Sequence, residues 1–181
     1  LSARRGPAPW RIAVVCGRGN NGGDGYVVAR HAFNDGHAVE CFSVCDAGEL
    51  RGDAALNCEI VRRLGVDVQR IAEAAELTAA CARWREADAV VDALLGTGAS
   101  GAPRGAVAAA IDALNAVAGP LKVSLDLPSG LDADDGSTPG PCFRADLTVT
   151  FVARKRGFAA PQAAAFLGYV VVADIGAPCR E

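Results

Sequence analysis

The chain has 181 residues, 51% hydrophobic and 22% charged, with a formal charge of -3 and a pI near 5.4. That length and composition suit one globular domain with a real core. The acidic balance excludes an extended nucleic-acid surface, which needs clustered Lys and Arg, and no apolar run is long enough to predict a membrane span.

The elements alternate along the chain. A strand over 11–16 leads to a helix over 24–35, and a strand over 38–44 leads to a helix over 52–64. A strand over 67–70 and a helix over 73–85 follow, then a strand over 88–94 and a helix over 104–117. Strands over 121–126, 146–152 and 169–175 complete the pattern, with a weaker helical stretch near 160–166. The strands are apolar with little alternation, as in AVVDALL, which predicts strands buried on both faces and hence a parallel sheet. The expected fold is a three-layer α/β/α sandwich with a doubly wound, mostly parallel, Rossmann-like sheet. A single domain over 1–181 is expected, and the absence of methionine leads us to expect a piece of a longer protein.

Seven cysteines, at 16, 41, 45, 58, 81, 142 and 179, are an odd number without a C-x-x-C pair. That pattern points to a reducing compartment, with a soluble, cytoplasmic protein as the expectation. Adjacent basic residues occur as short clusters at Arg4-Arg5, Arg62-Arg63 and Arg154-Lys155-Arg156.

Three polar, glycine-containing segments follow the first, fourth and fifth strands: GRGNNGGDG, LGTGASGAPRG and DLPSGLD. In a doubly wound sheet with order 3-2-1-4-5 these strands are neighbours, and ligands bind at their carboxyl ends. One composite site is therefore expected. Gly17, Gly19 and Gly22 match the G-x-G-x-x-G fingerprint, a weak signal alone. Asp24 complicates it, because a carboxylate at the start of the first helix would repel a pyrophosphate there. Asp24 either caps that helix or joins Asn20 and Asn21 in holding a cation or a sugar.

Asp92 sits between apolar residues near a strand end, and Asp126 closes VSLDL. A buried carboxylate must be paired, protonated or metal-bound. With Ser129 and Asn21 these groups offer the oxygen ligands that hard cations prefer. One carboxylate could instead act as an acid/base group. For Lys155, a solvated cluster and a phosphate contact both remain open. The Asp132–Gly136 run has the wrong spacing for a calcium loop. His31 and His37 read as surface residues, and Ser129 lacks the G-x-S-x-G setting of a nucleophile.

These motifs, in this order, resemble the YjeF N-terminal domain family, the NAD(P)H-hydrate epimerases. The stretches VVCGRGNNGGDGYVVARHAFNDGHAV, GDAALN, VVDALLGTGASGAPRG, SLDLPSGLDADDG, ADLTVTF and GYVVVADIGAP carry the resemblance from Arg11 to Pro178. It implies an enzyme that interconverts the R and S forms of hydrated NADH and NADPH, which bear a hydroxyl on ring carbon C6. It implies that Asn20, Asn21, Gly22, Gly23 and Asp24 contact the damaged nucleotide, as do Gly96, Thr97, Gly98, Ala99, Ser100, Gly101, Ala102 and Asp126. It also implies a potassium ion (K+) held by Asn21, Asp92 and Ser129, with Asp126 chosen as the catalytic acid/base. A homodimer and a fused or separate ADP/ATP-dependent dehydratase are the expected partners. Some relatives of this domain act as non-catalytic binding modules, which is the alternative. An ordinary NAD-dependent oxidoreductase is disfavoured by Asp24 and by the lack of a Tyr-x-x-x-Lys pattern.

Overall fold

The structure is a computed structural model that describes residues 9–176. The Arg4-Arg5 pair, Pro178 and Cys179 lie outside the described residues. The elements run β1 (Arg11–Cys16), α1 (Asn20–Asn34), β2 (Ala38–Ser43), α2 (Gly52–Arg63), β3 (Asp67–Arg70) and α3 (Ala74–Glu86). They continue through β4 (Ala89–Ala93), α4 (Gly105–Ala116), β5 (Leu121–Leu125), β6 (Leu147–Phe151), α5 (Ala164–Leu167) and β7 (Tyr169–Ala173). The strands form one sheet in the order β3-β2-β1-β4-β5-β6-β7, and every neighbouring pair is parallel. This is the doubly wound three-layer fold expected.

The apolar runs explain why both faces are covered. Along β1, Ile12, Val14 and Cys16 face a core shared with Tyr26 and Ala29 of α1 and with Ala54, Cys58 and Val61 of α2. Ala13 and Val15 face the other core, which Trp84 of α3 and Ile111 and Leu114 of α4 complete. Trp84 meets Phe42 edge-on, with centroids 5.6 Å apart and planes at 85°, the arrangement that the aromatic quadrupole favours. The six described cysteines are free, and five of them are buried, four in the first core and Cys142 in a smaller cluster with Leu131, Ala163 and Leu167.

Two local expectations need correction. Helix α1 begins at Asn20, not at residue 24, so Asp24 stands in its second turn and the first turn carries no acidic residue. The repulsion argued against a pyrophosphate at that helix end therefore falls away. Packing explains the early start. Gly22 lies so close to Gly17 that a Cβ would overlap the Gly17 carbonyl, and a Cβ on Gly25 would come within 2.7 Å of Ala93 and 2.8 Å of Cys16. Close helix–strand contact holds an Asn-Asn-Gly-Gly stretch helical against its own low propensity. The second correction concerns the stretch near 160–166. It is two short 3-10 turns, Arg156–Ala159 and Pro161–Ala163, followed by the single-turn α5.

Candidate functional site

A cleft of about 950 Å³ opens over the carboxyl ends of β1, β4 and β5. β1 and β4 flank the point where the chain reverses its direction of winding, the usual ligand position in such sheets. All three polar loops reach it, through Asn20, Asn21 and Asp24, through Gly96 to Ala99, and through Asp126.

Hydrogen bonds stitch the loops together. The Asn21 side-chain amide donates to the carbonyls of Leu95 at 2.7 Å and Leu125 at 3.3 Å. The Leu95 amide donates to the Ser129 hydroxyl at 2.9 Å. Ser129 donates through its hydroxyl to Asp92 Oδ1 at 2.6 Å and through its amide to Asp92 Oδ2 at 2.8 Å. Asp92 is fully buried, and the Leu94 amide adds a third bond at 3.2 Å. Burial pushes its carboxyl up to about 6, against these hydrogen bonds, which favour the charged form. Both readings of Asp92 stand here. It binds a neighbouring loop's backbone, and it contributes to a set of oxygen donors.

Asn21 supplies the sharper signal. Its Oδ1 is buried and has no hydrogen-bond partner among the described residues, while its amide nitrogen is fixed by two carbonyls. A buried acceptor without a partner is costly, and a cation is one means of satisfying it. The donor set of Asn21, Asp92 and Ser129 is all oxygen with one carboxylate, which fits a hard cation of low charge. Among the described residues, no group of three or more His, Cys, Asp or Glu could hold a metal ion.

Asp126 sits just past β5 with a φ of 65°. The Leu127 amide bonds the Leu125 carbonyl at 2.8 Å across it, closing a tight turn that costs backbone strain. The turn aims Asp126 at the cleft and at Lys155, whose Nζ lies 2.6 Å from Asp126 Oδ1. Lys155 is thus no solvated bystander; it is mostly buried and also donates to the Phe151 carbonyl at 3.1 Å. Asp24 opens on the same cleft. Although Asp24 is exposed, partial loss of solvent raises its carboxyl above the ordinary range, and the charge of Asp126 adds to that.

Not every predicted contact residue lines the cleft. Gly22 and Gly23 are buried in α1, where Gly22 meets Gly17 and Gly23 meets Ala54 of α2. Gly101 lines a small hollow beside the cleft, Ala102 packs on Gly140, and Ser100 is exposed away from both. Sequence reasoning missed Arg18, Glu49 and Arg104, all of which line the cleft. Arg104 immediately precedes α4, so its position as helix-leading residue was a usable signal. His37 is a packing residue whose Nδ1 accepts a bond from the Trp10 amide at 3.1 Å. The Asp132 carboxylate accepts the amides of Asp134 and Asp135, so the acidic run makes a turn and not a calcium loop.

The model of the YjeF-related protein N-terminus family matches residues 2–157. The chain belongs to this family. A bifunctional NAD(P)H-hydrate repair enzyme of Moorella thermoacetica is 45% identical to this YjeF-related chain over 168 residues, covering 93% of it and 32% of the relative. The NAD(P)H-hydrate epimerases of Rhodopirellula baltica and Pirellula staleyi are 42% and 40% identical. They are matched over 92% and 93% of the YjeF-related chain and over 66% and 74% of their own lengths. The chain therefore spans about a third of the bifunctional relative and about two thirds or more of the other two. The crystal structure of yeast ynu0 superposes with a TM-score of 0.72 at 25% identity, covering 85% of this chain and 64% of that one.

Proposed function

We propose that this domain is an NAD(P)H-hydrate epimerase, interconverting the R and S forms of hydrated NADH and NADPH. The observation that carries the reading is the three-loop cleft with Asp126 held at its floor, in a chain 40–45% identical to proteins named for that activity or for NAD(P)H-hydrate repair. A volume of about 950 Å³ suits a nucleotide-sized ligand.

In this reading the amino end of α1 and the side chains of Arg18 and Arg104 receive the phosphates, since a helix start without acidic residues favours an anion. Asn20 and the Gly96–Ala99 segment position the nucleotide. The damaged ring lies toward Asp126, the central carboxylate of the proton chemistry. Inversion at C6 needs the hydroxyl to leave with a proton, a ring cation stabilised by the adjacent nitrogen, and return of water to either face. A carboxylate beside that carbon lowers the barrier by proton transfer and by opposing the developing positive charge.

Asn21, Asp92 and Ser129 would hold potassium, which when bound adds a fixed positive charge beside the phosphate-binding loops. Asn21 then orients the first loop through Leu95 and Leu125, and Asp92 orients Ser129. A homodimer, and a dehydratase acting on the same damaged nucleotide, belong to this reading as partners. A cytoplasmic setting belongs to it as well. Acceleration of R/S exchange on purified hydrate, above the spontaneous rate, is the test. Nucleotide binding without exchange would favour a non-catalytic binding module.

A further inference from the structure

The cleft holds two carboxylates in unlike surroundings. Asp126 is ion-paired with Lys155 at 2.6 Å, and both side chains are more than four-fifths buried, at 14% and 18% exposure. The Thr150 hydroxyl and the Phe151 amide reach the same oxygen at 3.4 Å. An ammonium and two further donors around Oδ1 favour the carboxylate form, so Asp126 is poorly placed to release a proton. Among the described residues no cation pairs with Asp24, which lines the same cleft and feels the charge of Asp126.

Backbone strain sits on both sides of this pair. Among the described residues, Asp126 at 65° and Val152 at 67° are the non-glycine residues with positive φ. A β-branched residue there is costly. The Ala153 amide closes the turn on the Phe151 carbonyl at 2.8 Å, sending the chain back so that Lys155 meets Asp126. Two strained turns, one after β5 and one after β6, thus hold a single ion pair.

We infer that Asp24 is the catalytic acid of this cleft and that Lys155 is a positioning residue that keeps Asp126 as the carboxylate. The inference rests on the epimerase reading, moves its proton transfer from Asp126 to Asp24, and leaves Asp126 as the charge that opposes the ring cation. The Asp24 carboxyl gives its proton to the C6 hydroxyl. The C6–O bond breaks with its electron pair on the departing water, and the ring nitrogen lone pair fills the deficit at C6. Water adding to either face returns one proton to Asp24, so no proton is consumed. Asp126, held charged, opposes the positive charge of the ring between these steps. Pairs of carboxylates whose environments drive them apart divide acid and base roles in this way. The other charged or titratable groups lining the cleft are Glu49, Arg18, Arg104 and the Cys45 thiol, whose proton burial retains.

Carboxyl carbon NMR on Asp-labelled protein, with Asp24→Asn and Asp126→Asn for assignment, reads the Asp24 protonation without any activity. Asp24 titrates above the ordinary aspartate range, and Asp126→Asn lowers it toward that range, because the Asp126 charge is one of its causes. The exchange rate of the unsubstituted protein falls as pH rises through the Asp24 titration. Asp24→Asn loses about 10²- to 10⁴-fold and that alkaline limb with it. Lys155→Met lowers kcat with KM little changed, and Lys155→Arg restores it, a charge-dependent rescue that loose packing alone would not produce. Should Asp24 titrate in the ordinary aspartate range, or Asp24→Asn keep the wild-type rate and pH profile, the assignment is overturned while the activity stands. If Asp24 titrates above the ordinary range but the unsubstituted protein shows no exchange, the epimerase reading fails and the Asp24 titration stands.

Discussion

The Ser129 hydroxyl donates to one oxygen of Asp92 at 2.6 Å and the Ser129 amide to the other at 2.8 Å, with Asp92 fully buried. The end of β4 and the loop after β5 therefore share one carboxylate. Ser129→Ala leaves Asp92 Oδ1 without its strongest donor and the Leu95 amide without its acceptor. Unsatisfied buried groups cost about 1–3 kcal/mol each. Thermal denaturation should show a Tm several degrees lower, with the fold retained by circular dichroism.

Asp92 also makes stability depend on pH. Its carboxyl is raised to about 6, whereas an unfolded aspartate loses its proton near 4. Between these values the folded state binds more protons than the unfolded, so stability falls as pH rises from about 4 to 6 and is level above. The loss is on the order of 3 kcal/mol by the size of the shift. Asp92→Asn should flatten that stretch of the curve, measured by chemical denaturation in a buffer with tetramethylammonium as the cation. Potassium should restore stability to the unsubstituted protein more at pH 7 than at pH 4.5, since it binds the charged form. An equal effect of potassium on Asp92→Asn would remove Asp92 from the cation site.

The glycines of the first loop differ in what surrounds them. Alanine usually stabilises a helix interior by about 1 kcal/mol over glycine. At Gly22 and Gly25 the sign reverses, because a Cβ would strike the Gly17 backbone in one case and Ala93 with Cys16 in the other. Gly22→Ala and Gly25→Ala should lose several kcal/mol or fail to fold. Gly19→Ala meets nothing within 4 Å and should change stability by less than about 1 kcal/mol in the same denaturation assay.

Much of this could be read before the structure, and the exceptions have physical causes. The strand positions were legible because two-sided burial writes itself as unbroken apolar runs, as in β1 and β4. Their neighbourhood brought Asn21, Gly96 and Asp126 to one cleft. The start of α1 was misread because Asn20 through Gly23 favour loops locally, and only contacts with Gly17 and Ala54 make them helical. Lys155 stayed undecided because its link to Asp126 depends on the pairing of β5 with β6 and on a positive φ at Val152. Nothing local announces such a turn at a valine. Nothing in the local sequence marks Arg18 or Glu49, since cleft walls are made by tertiary structure.

Arg18 and Arg104 should act on binding more than on chemistry. They line the cleft beside the starts of α1 and α4, where phosphates are favoured. Alanine at either position should raise KM about tenfold with kcat within a factor of about three, because contacts remote from C6 hold ground and transition states alike. Steady-state kinetics across potassium chloride concentrations checks this, and the salt dependence should weaken in both variants.

The central claim is that this cleft epimerises hydrated nicotinamide nucleotides around Asp126. The direct measurement is chromatographic or NMR observation of R/S exchange on purified hydrate by the unsubstituted domain and by Asp126→Asn, both corrected for spontaneous exchange. The substitution keeps the size of the side chain and removes its charge. The account predicts exchange well above background for the first protein and a loss of about 10²- to 10⁴-fold for the second, with nucleotide binding kept. Wild-type exchange in Asp126→Asn would contradict the role given to Asp126. Tight nucleotide binding with no exchange by either protein would contradict the claim itself.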